Sequence, residues 1–261
     1  MSGAAEGDAL LDARQVTRRF GGLVAVRSVD LQVAEGENRG LIGPNGAGKT
    51  TFFNCLTGIH PPTEGTITFA GQPLHGRSPS RITRAGVART FQNLRLFAHM
   101  TARENVLVGR HCRTREGLFA ALLHTPKFRR EERASYERAD ELLAFVGLDR
   151  QADEIAHNLP YGDMRRLEIA RALATDPRLL LLDEPTAGMN PNETAQAAAL
   201  VQRIRDQGLT IVVIEHDMRF VMGISDRITV LDHGEKLAEG SPRDVQRDPA
   251  VIEAYLGADV P

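Results

Sequence analysis

Gly43-Pro44-Asn45-Gly46-Ala47-Gly48-Lys49-Thr50 spells G-x-x-x-x-G-K-[ST]. Glycines at 43, 46 and 48 let the backbone turn so that successive N–H groups point inward at phosphate oxygens. A helix starting near Thr50 offers its N-terminus, with its partial positive charge, to the same anion. Lys49 adds a full charge for the β- and γ-phosphates, and Thr50 places a hydroxyl on Mg2+. Pro44, Asn45 and Ala47 supply the backbone between the glycines. The expected ligand is a nucleotide.

A second group lies far along the chain. Four leucines, 179–182, are followed by Asp183, Glu184 and Pro185. An all-apolar run of this length reads as a parallel strand covered on both faces, so both acids fall at its C-terminal tip, where open α/β sheets hold their ligands. Paired with a phosphate loop, the first acid holds Mg2+, usually through water, and the second polarises the attacking water. Asp183 is expected as the metal acid and Glu184 as the general base.

The elements that must position these groups are legible in outline. Residues 13–33 read as strands broken by a turn at Gly21-Gly22, residues 40–42 as a short strand, residues 50–56 as a helix and residues 66–70 as another strand. From 94 to about 158 the texture is helical. There Ala139, Leu142, Leu143 and Val146 fall at i, i+3, i+4, i+7 ahead of Gly147. Residues 211–214 form a second all-apolar strand, and 193–207 a helix before it. The simplest architecture is an α/β core interrupted by a helical lobe.

Composition bounds the setting. The 261 residues are 42% hydrophobic and 25% charged, and 32 Lys and Arg against 34 Asp and Glu leave a net charge of −2. That balance argues against a general nucleic-acid surface. Cys55 and Cys112 cannot make a disulfide framework, so a reducing cytoplasmic setting is expected. No apolar run is long enough to cross a bilayer, and residues 1–9 lack the basic and apolar stretches of a signal peptide.

These motifs, in this order, resemble an ATP-binding-cassette (ABC) ATPase subunit over nearly the whole chain. Residues 89–93, Arg-Thr-Phe-Gln-Asn, resemble the Q-loop, which puts Gln92 on Mg2+ and the water. Leu159-Pro160-Tyr161-Gly162-Asp163 and the helix after it resemble the signature motif, with Gly162 toward nucleotide. Residues 187–190 resemble the D-loop, and residues 214–217 the switch region, with His216 on the γ-phosphate. Phe20 stands where the family stacks an aromatic on adenine, and Thr51 joins Thr50 beside the phosphates. The resemblance implies a P-loop NTPase fold with a mainly parallel core sheet, an N-terminal antiparallel β subdomain and an inserted helical subdomain. It divides one nucleotide-binding domain, 1–261, into a core (1–92 and 166–261) and a lobe (93–165).

Residues 89–96, 158–173, 215–228 and 254–257 are similar to the ATPase subunit of branched-chain amino acid importers. The same resemblance leaves an importer ATPase for amides or urea as an alternative. The implied cofactors are ATP and Mg2+. The implied partners are a second ATPase subunit, since each ATP lies between two cassettes, and membrane permease subunits docking on the helical subdomain. The implied location is the inner face of the cell membrane. Two other classes stay open: a soluble non-transport ABC ATPase, and a nucleotide-binding scaffold without turnover.

The usual signature is Leu-Ser-Gly-Gly-Gln. Here Pro160 removes a hydroxyl and an N–H, Tyr161 replaces a glycine, and Asp163 adds a negative charge. Asn190 replaces the usual D-loop aspartate. Anion recognition is therefore expected to survive in weakened form. Seven basic residues between Arg110 and Arg133 flank the apolar stretch 118–123. They read as a solvated helix face, as a docking surface for a membrane subunit, or as an attraction to an anionic leaflet.

Overall fold

Four successive leucines leave a strand no polar face, so both sides must be covered. In the computed structural model, which describes residues 9–113 and 126–256, the strand β7 (Leu179–Asp183) is buried along its whole length. It lies parallel between β6 (Val87–Arg89) and β8 (Thr210–Ile214). Leu179 and Leu181 belong to one apolar cluster, with Phe52, Phe53 and Leu56 of helix α1 (Lys49–Leu56). Leu180 and Leu182 belong to the other, with Leu200, Val201 and Ile204 of a helix on the opposite face (Pro191–Asp206). The period-2 alternation of a strand thus distributes identical residues between two cores.

Among the described residues the main sheet runs β10 (Glu235–Gly240), β9 (Arg227–Asp232), β3 (Asn38–Ile42), β8, β7, β6. All its pairings are parallel except that of the edge strand β10 with β9. A second, antiparallel sheet orders β2 (Leu23–Ala34), β1 (Ala9–Phe20), β4 (Glu64–Phe69) and β5 (Gln72–Pro73). Its first hairpin closes at Gly21, whose φ of +57° suits glycine.

Among the described residues the helical region holds α3 (Ala102–Arg110), α4 (Pro126–Val146) and the start of α5 (Tyr161–Leu173), numbered after a short α2 (Pro79–Ala85). Ala139, Leu142, Leu143 and Val146 are all buried, and Gly147 ends α4 at φ +76°. The lobe shares one continuous cluster with β7 and β8, so it is packed onto the core rather than tethered beside it. Residues 94–101, expected as helix, form none. The side chain of fully buried Asn105 explains why. It accepts from the Phe97 N–H (2.8 Å) and donates to the carbonyls of Phe97 and Met100 (3.1 and 3.4 Å), satisfying that backbone without helical bonds. Thr101 and Glu104 then open α3 with a reciprocal capping box.

Two of the basic residues expected on a free face are spent internally. Arg110 pairs with Asp176, and Arg113 donates to the carbonyls of Thr175, Arg84 and Asp176. They fasten the lobe to the core. The apolar stretch 118–123 lies outside the described residues.

Because both faces of β7 are covered, Leu180→Ala and Leu181→Ala should each cost about 2–5 kcal/mol in urea denaturation. A large loss at one position with a negligible loss at the other would mean that one face is not buried.

Candidate active site

The phosphate loop fills the gap between the end of β3 at Ile42 and the start of α1 at Lys49. Its path is one that only glycine can follow at two points. At Gly43 (φ +149°) a Cβ would lie 2.0 Å from the Leu231 carbonyl oxygen, and at Gly48 (φ +93°) 2.5 Å from that of Ala25. Gly48 is the N-cap of α1 and offers no capping side chain, so the first-turn N–H groups are left for a ligand. Thr50 and Thr51 sit in that first turn, Thr50 exposed.

Lys49 is buried, and its Nζ donates to the carbonyls of Gly43 (2.7 Å) and Pro44 (2.9 Å). Burial pushes its pKa below the ordinary lysine value, against the opposing pull of the Glu184 and Asp183 charges. The loop therefore folds around its own cation, in the electrostatic reach of both acids.

Asp183 closes β7 in a dry environment. One oxygen, Oδ2, accepts from Arg89 Nη2 at 2.7 Å. Arg89 in turn donates through Nη1 to Asn54 of α1 at 2.7 Å and lies over the rings of Phe53 and Phe91. The other oxygen, Oδ1, is buried with no hydrogen-bond partner among the described residues. A buried carboxylate acceptor left open at the tip of a strand fits the oxygen donor set of a hydrated divalent cation.

Glu184 follows at φ +49°, a conformation uncommon outside glycine. Surrounding bonds hold it there. Its N–H donates to the Ile214 carbonyl at 2.9 Å, and its carboxylate is clamped between Gln92 Nε2 on Oε2 (2.9 Å) and His216 Nε2 on Oε1 (2.7 Å). Residues 92, 184 and 216 come from three separate segments, so only the folded chain assembles this group. Two further anchors escaped sequence reasoning. Buried Glu215 accepts from the N–H and hydroxyl of Thr186 (2.7 and 2.6 Å), which fixes the turn after Glu184. Neither Glu215 nor Arg89 shows a spacing signal, because each partner is distant in sequence.

The remaining candidates are placed as follows. Phe20 is 40% exposed, with Arg18 over its ring at 4.6 Å and His60 edge-on at 5.3 Å. Pro160 is the N-cap of α5 and makes no side-chain cap bond. Gly162 lies against Glu193. The Asp163 carboxylate pairs with Arg166, so the added charge is met within its own helix. Asn190 caps the Pro191–Asp206 helix by accepting from the N–H groups of Asn192 and Glu193, a task that needs an oxygen and no charge.

Comparison with known proteins gives consistent relatives. Residues 26–187 match the ABC transporter family model, and residues 235–261 match a branched-chain amino acid ATP-binding cassette transporter model. The chain is 51% identical to the high-affinity branched-chain amino acid transport ATP-binding protein LivG of Escherichia coli (strain K12), over 95% of this chain and 98% of that protein. It is similar in structure to the ADP conformation of MJ1267, an ATP-binding cassette of an ABC transporter, with TM-score 0.82, 30% identity, and coverage of 95% and 99%. It is also similar to MJ0796, a cassette seen as a dimer in a post-hydrolysis state bound to ADP and Pi, with TM-score 0.75, 27% identity, and coverage of 89% and 99%.

The buried Arg89–Asp183 pair makes a stability prediction. Arg89→Ala should cost about 3–5 kcal/mol in urea denaturation, since it strands a buried carboxylate. The exposed Arg138–Glu141 pair is the control: Arg138→Ala should cost less than about 1 kcal/mol.

Proposed function

Because the chain belongs to the ABC transporter family of ATP-binding cassettes, we propose that it is the ATP-hydrolysing subunit of an importer of branched-chain amino acids. The observation that carries the chemistry is Glu184, held between Gln92 and His216 beside the phosphate loop. The solute rests on the LivG likeness and on the segment 235–261.

The residues divide the work. The loop 43–48 and the first-turn N–H groups of Lys49, Thr50 and Thr51 bind the phosphates, Lys49 moves its ammonium from its own carbonyls to the β- and γ-oxygens, and Phe20 receives the adenine ring. Thr50, Asp183 and Gln92 hold Mg2+, which when bound neutralises charge developing on the transferred phosphate. Glu184 takes a proton from the attacking water. Its two oxygens have about four acceptor sites, and Gln92 and His216 occupy one each, so the carboxylate is oriented yet still able to accept. His216 faces the γ-phosphate.

A second cassette completes each site, with Gly162 and the N-terminus of α5 presented to the partner's nucleotide. MJ0796 is a precedent for such pairing. Residues 93–165 are the inserted helical subdomain of a single cassette, 1–261. A cleft of about 1060 Å3 between lobe and core, lined by Phe91, Phe97, Val108, Arg84 and Arg171, is where permease subunits dock. Among the described residues no helix is long and apolar enough to cross a membrane, so attachment to the inner face comes through those subunits.

Glu184→Gln should bind ATP, accumulate as a closed dimer and lose about a hundredfold or more in phosphate release. Undiminished turnover would remove Glu184 as the base. Phe97→Asp with Val108→Asp should abolish co-purification with importer permeases while leaving ATP affinity unchanged. Equal loss of both would count against the docking cleft. Pro160→Ser with Asp163→Gln should strengthen ATP-driven dimerisation, and unchanged dimer affinity would sink the weakened-signature reading.

A further inference from the structure

We propose that Tyr161 and Arg165 are positioning residues that tie the signature turn to the Gln92 segment of the same chain. Through this tie, engagement of the turn by a partner cassette's nucleotide moves Gln92 and its hold on Glu184. The proposal rests on the nucleotide-dimer reading above and adds a route between the two ATP sites.

Arg165 is 4% exposed, and a guanidinium so buried must satisfy its five donors locally. Its Nη2 donates to the carbonyl of Gln92 (2.6 Å) and its Nη1 to that of Phe91 (2.9 Å). Nε and Nη2 both donate to the Tyr161 hydroxyl (3.1 and 2.7 Å). Glu168, one turn further along α5, accepts from the Phe91 N–H at 3.3 Å. Helix α5 therefore grips residues 91 and 92 by both donors and acceptors of their backbone. Charge-assisted bonds from a buried guanidinium to carbonyls are among the stronger ones available.

Tyr161 extends the grip to a third segment. Its ring lies beside Gly188, where an added Cβ would stand 3.3 Å from ring atom Cε1, and Gly188 (φ +78°) belongs to the turn after Glu184. The glycine usual at this signature position could supply neither the hydroxyl nor the ring. One residue then separates the tie from the catalytic carboxylate, since the Gln92 carbonyl is held by Arg165 while its side-chain amide donates to Glu184 at 2.9 Å. Displacing the N-terminus of α5 must displace Gln92 with it. This is a contiguous set of bonds between two sites rather than mere proximity.

The test is hydrogen exchange on the full-length chain in the Glu184→Gln background with and without Mg-ATP, together with steady-state ATPase in the otherwise native chain. In the parent, nucleotide should protect peptides 43–50 and 160–166 and change exchange at 89–97 in step. With Arg165→Met the first two responses should persist and the third should vanish, and in the native background kcat should fall about tenfold with KM for ATP within about twofold. Tyr161→Phe keeps the ring and the buried arginine, so it decides the matter if Arg165→Met does not fold. It should weaken the 89–97 response and lower kcat about threefold at unchanged KM. A response at 89–97 that survives in the variants, or an unchanged kcat, overturns the proposal alone. Absence of protection at 43–50 in the parent overturns the nucleotide reading itself, and the proposal with it.

Discussion

Burial of β7 on both faces is the constraint on which the site depends. A strand sealed between α1 on one side and the Pro191–Asp206 helix on the other cannot slip without drawing Arg178 or a further acid into the leucine positions, so its end is set in space. Asp183 and Glu184 inherit that fixed position. The same packing places α1, and with it the phosphate loop and Lys49, against the strand that carries the acids. The geometry of an anion site and a carboxylate pair thus follows from where apolar side chains have to go.

Once the acids are at a dry strand tip, electrostatics governs what surrounds them. A buried carboxylate is tolerated only with compensation, and Arg89 supplies it on one oxygen of Asp183 while tying it to Asn54 of α1. The other oxygen is left open, which is a cost unless something binds there. Glu184 is compensated by polar neighbours, Gln92 and His216, that can let go. Lys49 is satisfied by its own loop until a phosphate replaces the two carbonyls. Glu184 and Lys49 are thus satisfied without ligand yet arranged to exchange a partner for one, while Asp183 keeps an acceptor open.

The departures in the signature region acquire physical meanings in the fold. Asp163 is neutralised by Arg166 and suits the first turn of its own helix, so it bears less on an incoming phosphate than its charge alone implies. Asn190 is a helix cap. Tyr161 is an acceptor for a buried arginine and a wall against Gly188. The basic residues of the lobe divide similarly, with Arg110 and Arg113 holding lobe to core.

What the chain reveals unfolded is whatever local spacing encodes. The run 43–50 and the leucines before Asp183 announce a phosphate loop and a buried strand, because backbone turning and two-sided burial leave composition signatures within a few residues. The 139–146 periodicity likewise announces the buried face of α4. Residues 94–101 misled, because a side chain that bonds loop backbone, Asn105, looks from sequence like any helix surface residue. Arg89, Glu215 and Arg165 were silent because each acts on groups 29 to 94 positions away. Sequence determined which chemistry is present, since that depends on residue types at short spacing. Tertiary structure alone decided which charges meet and which stay open, since burial makes pairing obligatory only when distant segments close around the same dry space.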